Sequence, residues 1–325
     1  MRLTRRGRVA GLLVALAIVM GWQFGARSLN AVAAPMGAAL VVGAVSVYRG
    51  AAPTIALSPI DPGDPGDTRR LVGTVEGSGV ATVELQLPAG LGGATVDATT
   101  PLPGRFEREI ELTARGVYTV GPVTVRYRDP LGLVERQTEP AETIRVVVYP
   151  RRYEVSLDGA LGSVLGDESQ PERQSFDRLR EYEPGDPLRN VHWKTSAKHE
   201  EFHVVEFDPT ERPETVTIVA ASMPGRADEM AEAAASIARA ALDAGLDAEI
   251  VGPQESLPPG QGTAHWENVL GLLARAGSGS PADSSLEAAD IGIRAVTDET
   301  AVRTATTRVT FSELRERSDR REVPA

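Results

Sequence analysis

A chain of 325 residues has room for about two domains and a membrane segment, and 42% hydrophobic with 24% charged residues is the composition of a folded protein. It contains no cysteine, which excludes disulfides, thiolate catalysis and cysteine-held zinc or iron–sulfur centres, and its four histidines argue against a His-rich metal site. The formal charge of −11 is uneven: residues 1–50 hold six arginines and no acid, leaving 28 basic against 45 acidic side chains in the rest, a surface that repels nucleic acid.

Val9–Phe24 is uncharged and apolar, and Leu29–Tyr48 is a second, weaker run. Each approaches the ~17–25 residues that cross a bilayer as a helix. Trp22 and Tyr48 fall near the ends, where amphipathic rings prefer to sit. Only Gly25–Leu29 separates the runs, so residues 1–50 read as a tight two-helix membrane hairpin embedded through residues 9–48. Arg2, Arg5, Arg6 and Arg8 precede the first span and Arg49 follows the second, against Arg27 alone in the connection. The positive-inside rule then places both ends, and the soluble part, in the cytoplasm. The rival reading is a secretory signal peptide with small residues near Ala31–Ala34, followed by an exported envelope-binding module.

Residues 51–150 read as an antiparallel β-sandwich of about seven short strands, with period-two alternation and Gly/Pro separators. The strands expected are Arg69–Val75, Ala81–Leu87, Phe106–Leu112, Val117–Val120, Val123–Tyr127 and Ile144–Val148, after the turn cluster Asp61–Asp67. Arg115 to Pro122 reads as a hairpin. Asp129–Leu133 (Asp-Pro-Leu-Gly-Leu) reads as an ordered corner, Pro fixing φ and Gly permitting a tight reversal.

Residues 151–213 form a junction, and its part from Phe176 to Phe207 is dense in polar chemistry. Both lysines of the chain, Lys194 and Lys198, lie there with His192, His199, His203 and Trp193. Scarce lysine and abundant acid suit a high-salt cytoplasm or a GC-rich genome alike. Glu183–Pro187 is a turn built on Pro184 and Gly185, with Asp186 placed to accept backbone N–H bonds. Arg180, Glu181, Asp186 and Arg189 suit an ion network around it, and Phe202–Phe207 reads as a strand leaving it.

Arg180-Glu181-Tyr182, Pro184-Gly185-Asp186, Arg189, Trp193, Ser196-Ala197 and Lys198 follow a pattern R-E-Y-x-P-G-D-x-x-R-x-x-x-W-x-x-S-A-[RK]. In this the chain resembles the prokaryotic family catalogued as domain of unknown function 58, with His192 where many members carry Asp. The likeness extends over roughly residues 1–275. It implies association with MoxR-type AAA+ ATPases and with membrane transglutaminase-like proteins, and no established reaction. The candidate docking and junction residues are Arg180, Glu181, Tyr182, Pro184, Gly185, Asp186, Arg189, Trp193, Lys194, Ser196 and Lys198.

Residues 214–311 alternate strand and helix. Thr215–Ala221 is a β-branched strand, and Ala227–Ala244 an amphipathic helix with Met230, Ala234, Ile237 and Ala241 on one stripe and Gly245 behind it. Ala248–Val251 is a strand, and His265–Ala276 a helix on Trp266, Val269, Leu270 and Leu273. Ile291–Val296 and Thr306–Phe311 add strands, giving a small parallel α/β layer. A charged helix over Ser312–Arg320 leads into a polar tail, residues 312–325. The layer resembles a von Willebrand factor A-type domain, which holds Mg²⁺ through an Asp-x-Ser-x-Ser loop after its first strand. Here that loop is Ala220-Ala221-Ser222-Met223-Pro224, without the Asp, so the resemblance is to a degenerate domain that binds no metal. His265 reads as a helix-start or surface residue rather than a ligand.

No nucleophile–base pair, phosphate loop or metal motif accompanies the dense segment, and no cofactor is expected. The function expected is a membrane-anchored, non-enzymatic scaffold or adaptor partnering a MoxR-type AAA+ ATPase. The alternative is an enzyme with Lys194 or His192 as acid/base and Glu181 or Asp186 as orienter.

Overall fold

A computed structural model describes residues 1–25, 27–155, 176–181, 203–207 and 215–319. The chain divides into two compact units, Met1–Arg151 and Arg152–Ala325.

The first unit opens with β1 (Arg2–Leu3), α1 (Arg5–Phe24) and α2 (Asn30–Arg49). Both helices are long and apolar enough to cross a membrane, and little of either is buried, 11% and 17% of their apolar windows. A core helix of that hydropathy would be covered on most sides, so these exposed faces fit a membrane protein. Gly25, at φ 68°, ends α1 in the left-handed conformation that a non-glycine side chain disfavours.

The β-strands that follow are β2 (Thr54–Leu57), β3 (Thr68–Gln86), β4 (Thr95–Glu111), β5 (Gly116–Val120), β6 (Thr124–Arg128), β7 (Val134–Thr138) and β8 (Ile144–Val148). They form two separate antiparallel sheets, where the sequence suggested one sandwich of short strands. One sheet runs β1-β7-β6-β3-β2 with β4 also on β3, and the other pairs β5 with β8. The segments expected as two strands, Arg69–Val75 and Ala81–Leu87, fall, but for Leu87, in the single long β3, whose pairing with β4 shifts register between Val75 and Gly79. Such an irregularity lets one strand bend while it stays paired. The hairpin expected over Arg115–Pro122 is also corrected. β5 pairs with β8, while β6 pairs with β3 and β7, so Gly121-Pro122 carries the chain from one sheet to the other. Leu71, Val83, Leu85, Val120, Val125, Val146 and Val148 share one buried cluster. Alternation places them inward, and both sheets contribute to that core.

In the second unit β9 (Phe176–Glu181) and β10 (His203–Phe207) form an antiparallel pair. A six-stranded sheet has the order β13-β12-β11-β14-β15-β16, formed by β11 (Thr215–Ser222), β12 (Asp247–Val251), β13 (Ser256–Leu257), β14 (Ile291–Ala295), β15 (Thr300–Arg303) and β16 (Arg308–Thr310). β12, β11 and β14 are parallel, and the outer strands are antiparallel to their neighbours. The layer is therefore mixed rather than parallel throughout. The helices are α3 (Ala227–Asp243), α4 (Gly262–Arg275), α5 (Asp283–Glu287) and α6 (Phe311–Asp319). The stripe of Met230, Ala234, Ile237 and Ala241 is buried as its spacing requires, and further alanines on α3 are buried with it. Val269, Leu270 and Leu273 of α4 are buried likewise.

Tyr153 ties the start of this unit to its last helix. Its N–H donates to Ser236 Oγ at 3.0 Å. Its ring meets Phe311 edge-on, and the Arg315 guanidinium lies 3.7 Å from the ring centre.

Candidate functional site

Of the residues predicted to form the docking site, Arg180 and Glu181 lie at the end of β9, paired with Val204 and His203 of β10. Tyr182, Pro184, Gly185, Asp186, Arg189, Trp193, Lys194, Ser196 and Lys198 lie outside the described residues, as do His192 and His199. The ladder puts Glu181 opposite His203, so the two chain positions bounding residues 182–202 are neighbours across one strand pair. The strand expected over Phe202–Phe207 is present as β10. Its partner β9 was not foreseen, because Phe176-Asp-Arg-Leu-Arg-Glu181 alternates too weakly to separate from the charged run around it.

The end of β11 is the place where an A-type domain would carry its metal loop. From β11 the chain passes through α3 to β12 on one side and later reaches β14 on the other, which makes this end a topological switch point. Its backbone is closed off by pairing. Ser222 and Gly279 exchange N–H···O bonds of 2.8 and 2.9 Å, and Met223 N–H donates to Ala295 O at 2.9 Å. Arg226 and Glu229 form an ion pair of 2.9 Å at the start of α3. The one loop hydroxyl, Ser222 Oγ, is buried and has no hydrogen-bond partner among the described residues. Among the described residues no three His, Asp or Glu side chains converge as a metal site. His265 holds the backbone instead, with Nε2 2.8 Å from Ala248 O.

The most constructed polar site among the described residues lies in the first unit, at the corner Asp129–Leu133. Asp129 is 4% exposed, and its carboxylate accepts three backbone N–H bonds from its own loop: Leu131 at 3.0 Å, Leu133 at 2.7 Å and Val134 at 2.6 Å. Gly132 N–H closes the turn on Asp129 O at 2.8 Å. A short Asp side chain before Pro suits this arrangement, because it reaches donors two to five residues ahead without long-range partners. The ordered loop then holds both helices. Thr4, the N-cap of α1, donates from Oγ1 to Gly132 O at 2.6 Å and accepts from Gly7 N–H at 3.1 Å, while its own N–H donates to Leu133 O at 3.0 Å.

Two glycines let the backbones approach this closely. A Cβ on Gly7 would collide with the Leu133 carbonyl, and one on Gly43 of α2 would stand 3.1 Å from Asp129 Oδ2. β1 extends the same contact, with Arg2 opposite Glu135 and Leu3 opposite Val134. Val47, one turn beyond Gly43, is a member of the β-domain core, with Ala44 packed against it. Hairpin and sheet are thus one packed body at this corner. Sequence reasoning found the corner and missed its role, since Thr4, Gly7 and Gly43 carry no signal until the loop is placed against them. The only hint was small residues in apolar helices, which mark close backbone approach.

The class this defines is a two-helix apolar hairpin fused to an antiparallel β-domain, followed by a separate mixed α/β unit. Residues 178–320 match the family model described as "Protein of unknown function DUF58". The chain is also similar to the uncharacterized protein YeaD of Bacillus subtilis (strain 168), with 27% identity over 177 residues, 51% of this chain and 44% of that relative. It therefore spans under half the length of the curated relative it matches.

Proposed function

We propose that the protein is a membrane-anchored, non-enzymatic scaffold or adaptor. In this reading the hairpin fixes a cytoplasmic β-domain, of sandwich type, at a set stance on the bilayer. The second unit, a degenerate von Willebrand factor A-like layer with the 182–202 segment, presents the docking surface for a MoxR-type AAA+ ATPase. The observation that carries it is the packed corner: Thr4, Gly7 and Gly43 tie the helices to the Asp129 loop. Simple retention at a membrane needs only a flexible tether, whereas a built joint suits a β-domain that serves as a fixed platform on the bilayer. The arginines at residues 2, 5, 6, 8 and 49 support the cytoplasmic orientation.

Crosslinking and affinity purification from native membranes at native salt tests the partner. An AAA+ ATPase should co-purify, and Arg189→Ala should abolish its recovery while thermal unfolding stays nearly unchanged. Recovery of no ATPase removes the adaptor reading, and gross unfolding of Arg189→Ala assigns that residue to structure instead.

A further inference from the structure

The Asp129 corner sits at an unusual level along the helices. Gly43, which faces the Asp129 carboxylate, lies five residues before Tyr48, about 7.5 Å deeper along α2 at ~1.5 Å per residue. Gly7, against Leu133 O, lies two residues before Val9, where the apolar run of α1 starts, about 3 Å on the same scale. The loop backbone is therefore at the arginine-bearing first turn of α1, just outside its apolar run, and the carboxylate meets α2 between one and two turns before that helix ends. A carboxylate there needs its hydrogen bonds supplied by protein, and Asp129 takes three from its own loop while 96% of its surface is covered. Pro130 and Leu131 form the turn between those donors, and Leu131 projects at 56% exposure. Leu3 of β1, which pairs with Val134 just after the loop, is 47% exposed. On α2, which meets the loop at Gly43, Val41, Val42 and Val45 are also exposed, so the helix carries uncovered apolar surface at the same level.

We infer that the Asp129–Leu133 loop is a lipid-contacting element, with Leu131 seated at the boundary between headgroups and acyl chains. The occupant of this surface is the bilayer that holds α1 and α2, because the loop is bonded to Thr4 at the start of α1 and meets α2 at Gly43. Arg5, Arg6 and Arg8 on the first turn of α1 reach headgroup phosphates at the same level. The β-domain is then not suspended above the membrane but rests on it through this corner, and Leu131 sets the contact. The inference rests on the membrane-anchored reading and adds a depth for one loop.

The chain lacks cysteine, so single Cys labels need no background removed. Full-length Leu131→Cys, Leu16→Cys in α1 and Val117→Cys in β5 are spin-labelled and reconstituted into vesicles of three parts phosphatidylcholine to one part phosphatidylglycerol. Collision with oxygen is compared with collision with a water-soluble nickel chelate. The inference expects Leu131→Cys to lose chelate accessibility and favour oxygen, as Leu16→Cys does, while Val117→Cys, at a site 38% exposed, favours the chelate. A chelate-accessible Leu131→Cys beside an oxygen-favouring Leu16→Cys overturns the loop inference and leaves the anchor intact. A chelate-accessible Leu16→Cys overturns both.

Discussion

A carboxylate packed beside apolar helices must have its hydrogen bonds supplied locally, and Asp129 meets that need from Leu131, Leu133 and Val134. Hydrogen bonds to a charged group contribute about 1.5–3 kcal/mol each, and leaving buried donors without an acceptor costs on a similar scale. Asp129→Ala should therefore destabilise the first unit by about 2–4 kcal/mol. Asp129→Asn, which keeps one acceptor oxygen, should cost less. Urea unfolding in detergent micelles followed by circular dichroism measures both. Tyr153 has a comparable role in the second unit, where its ring meets Phe311 and Arg315. Removing an aromatic contact and a cation–π contact together costs about 1–2 kcal/mol. Tyr153→Ala should accordingly loosen α6, visible as faster amide exchange over residues 311–319 with little change in β11.

At the level of elements, α1 offers an internal comparison. Gly7 and Gly11 lie one turn apart on the same helix, yet a Cβ on Gly7 meets the Leu133 carbonyl while one on Gly11 meets nothing within 4 Å. Helix propensity favours alanine over glycine by about 1 kcal/mol at either position. Gly11→Ala should thus be neutral or stabilising. Gly7→Ala should instead destabilise by about 1–3 kcal/mol, the usual cost of overpacking, and should weaken protection of the β1–β7 pairing. Equal thermal shifts for the two variants would mean that the α1–loop contact contributes little. The sheets obey a similar logic. Gly121-Pro122 moves the chain between sheets, so β5 and β6, adjacent in sequence, find different partners. Turn residues mark where a strand stops, but not which strand it pairs with next.

For the whole molecule, the consequence of the packed corner is that hairpin and β-domain are not separable. A chain beginning at residue 51 loses Val47 and Ala44 from the β-domain core and leaves the edge of β7 without β1. An unpaired strand edge beside uncovered apolar surface promotes association. Such a chain should unfold at a lower temperature than the full-length protein and elute as oligomers on size exclusion. A monomeric truncated domain of unchanged melting temperature would show that the hairpin is only a tether. The second unit carries the family match over residues 178–320, so whatever surface that likeness denotes lies in the other compact unit.

The sequence by itself determined the local elements whose signal is written into short stretches of chain. The two apolar helices follow from uninterrupted hydrophobic runs, α3 and α4 from stripes such as Met230, Ala234, Ile237 and Ala241, and β10 and β11 from β-branched or aromatic runs. The Asp129–Leu133 corner was legible as a turn for the same reason, since Pro and Gly act on their own backbone. Only the tertiary structure decided that β3 is one long strand, that β5 belongs with β8, and that the corner grips Thr4, Gly7 and Gly43. These are contacts between residues up to 129 positions apart, and no local pattern encodes them. A glycine in an apolar helix reads as a mere weakness until the backbone it makes room for arrives beside it.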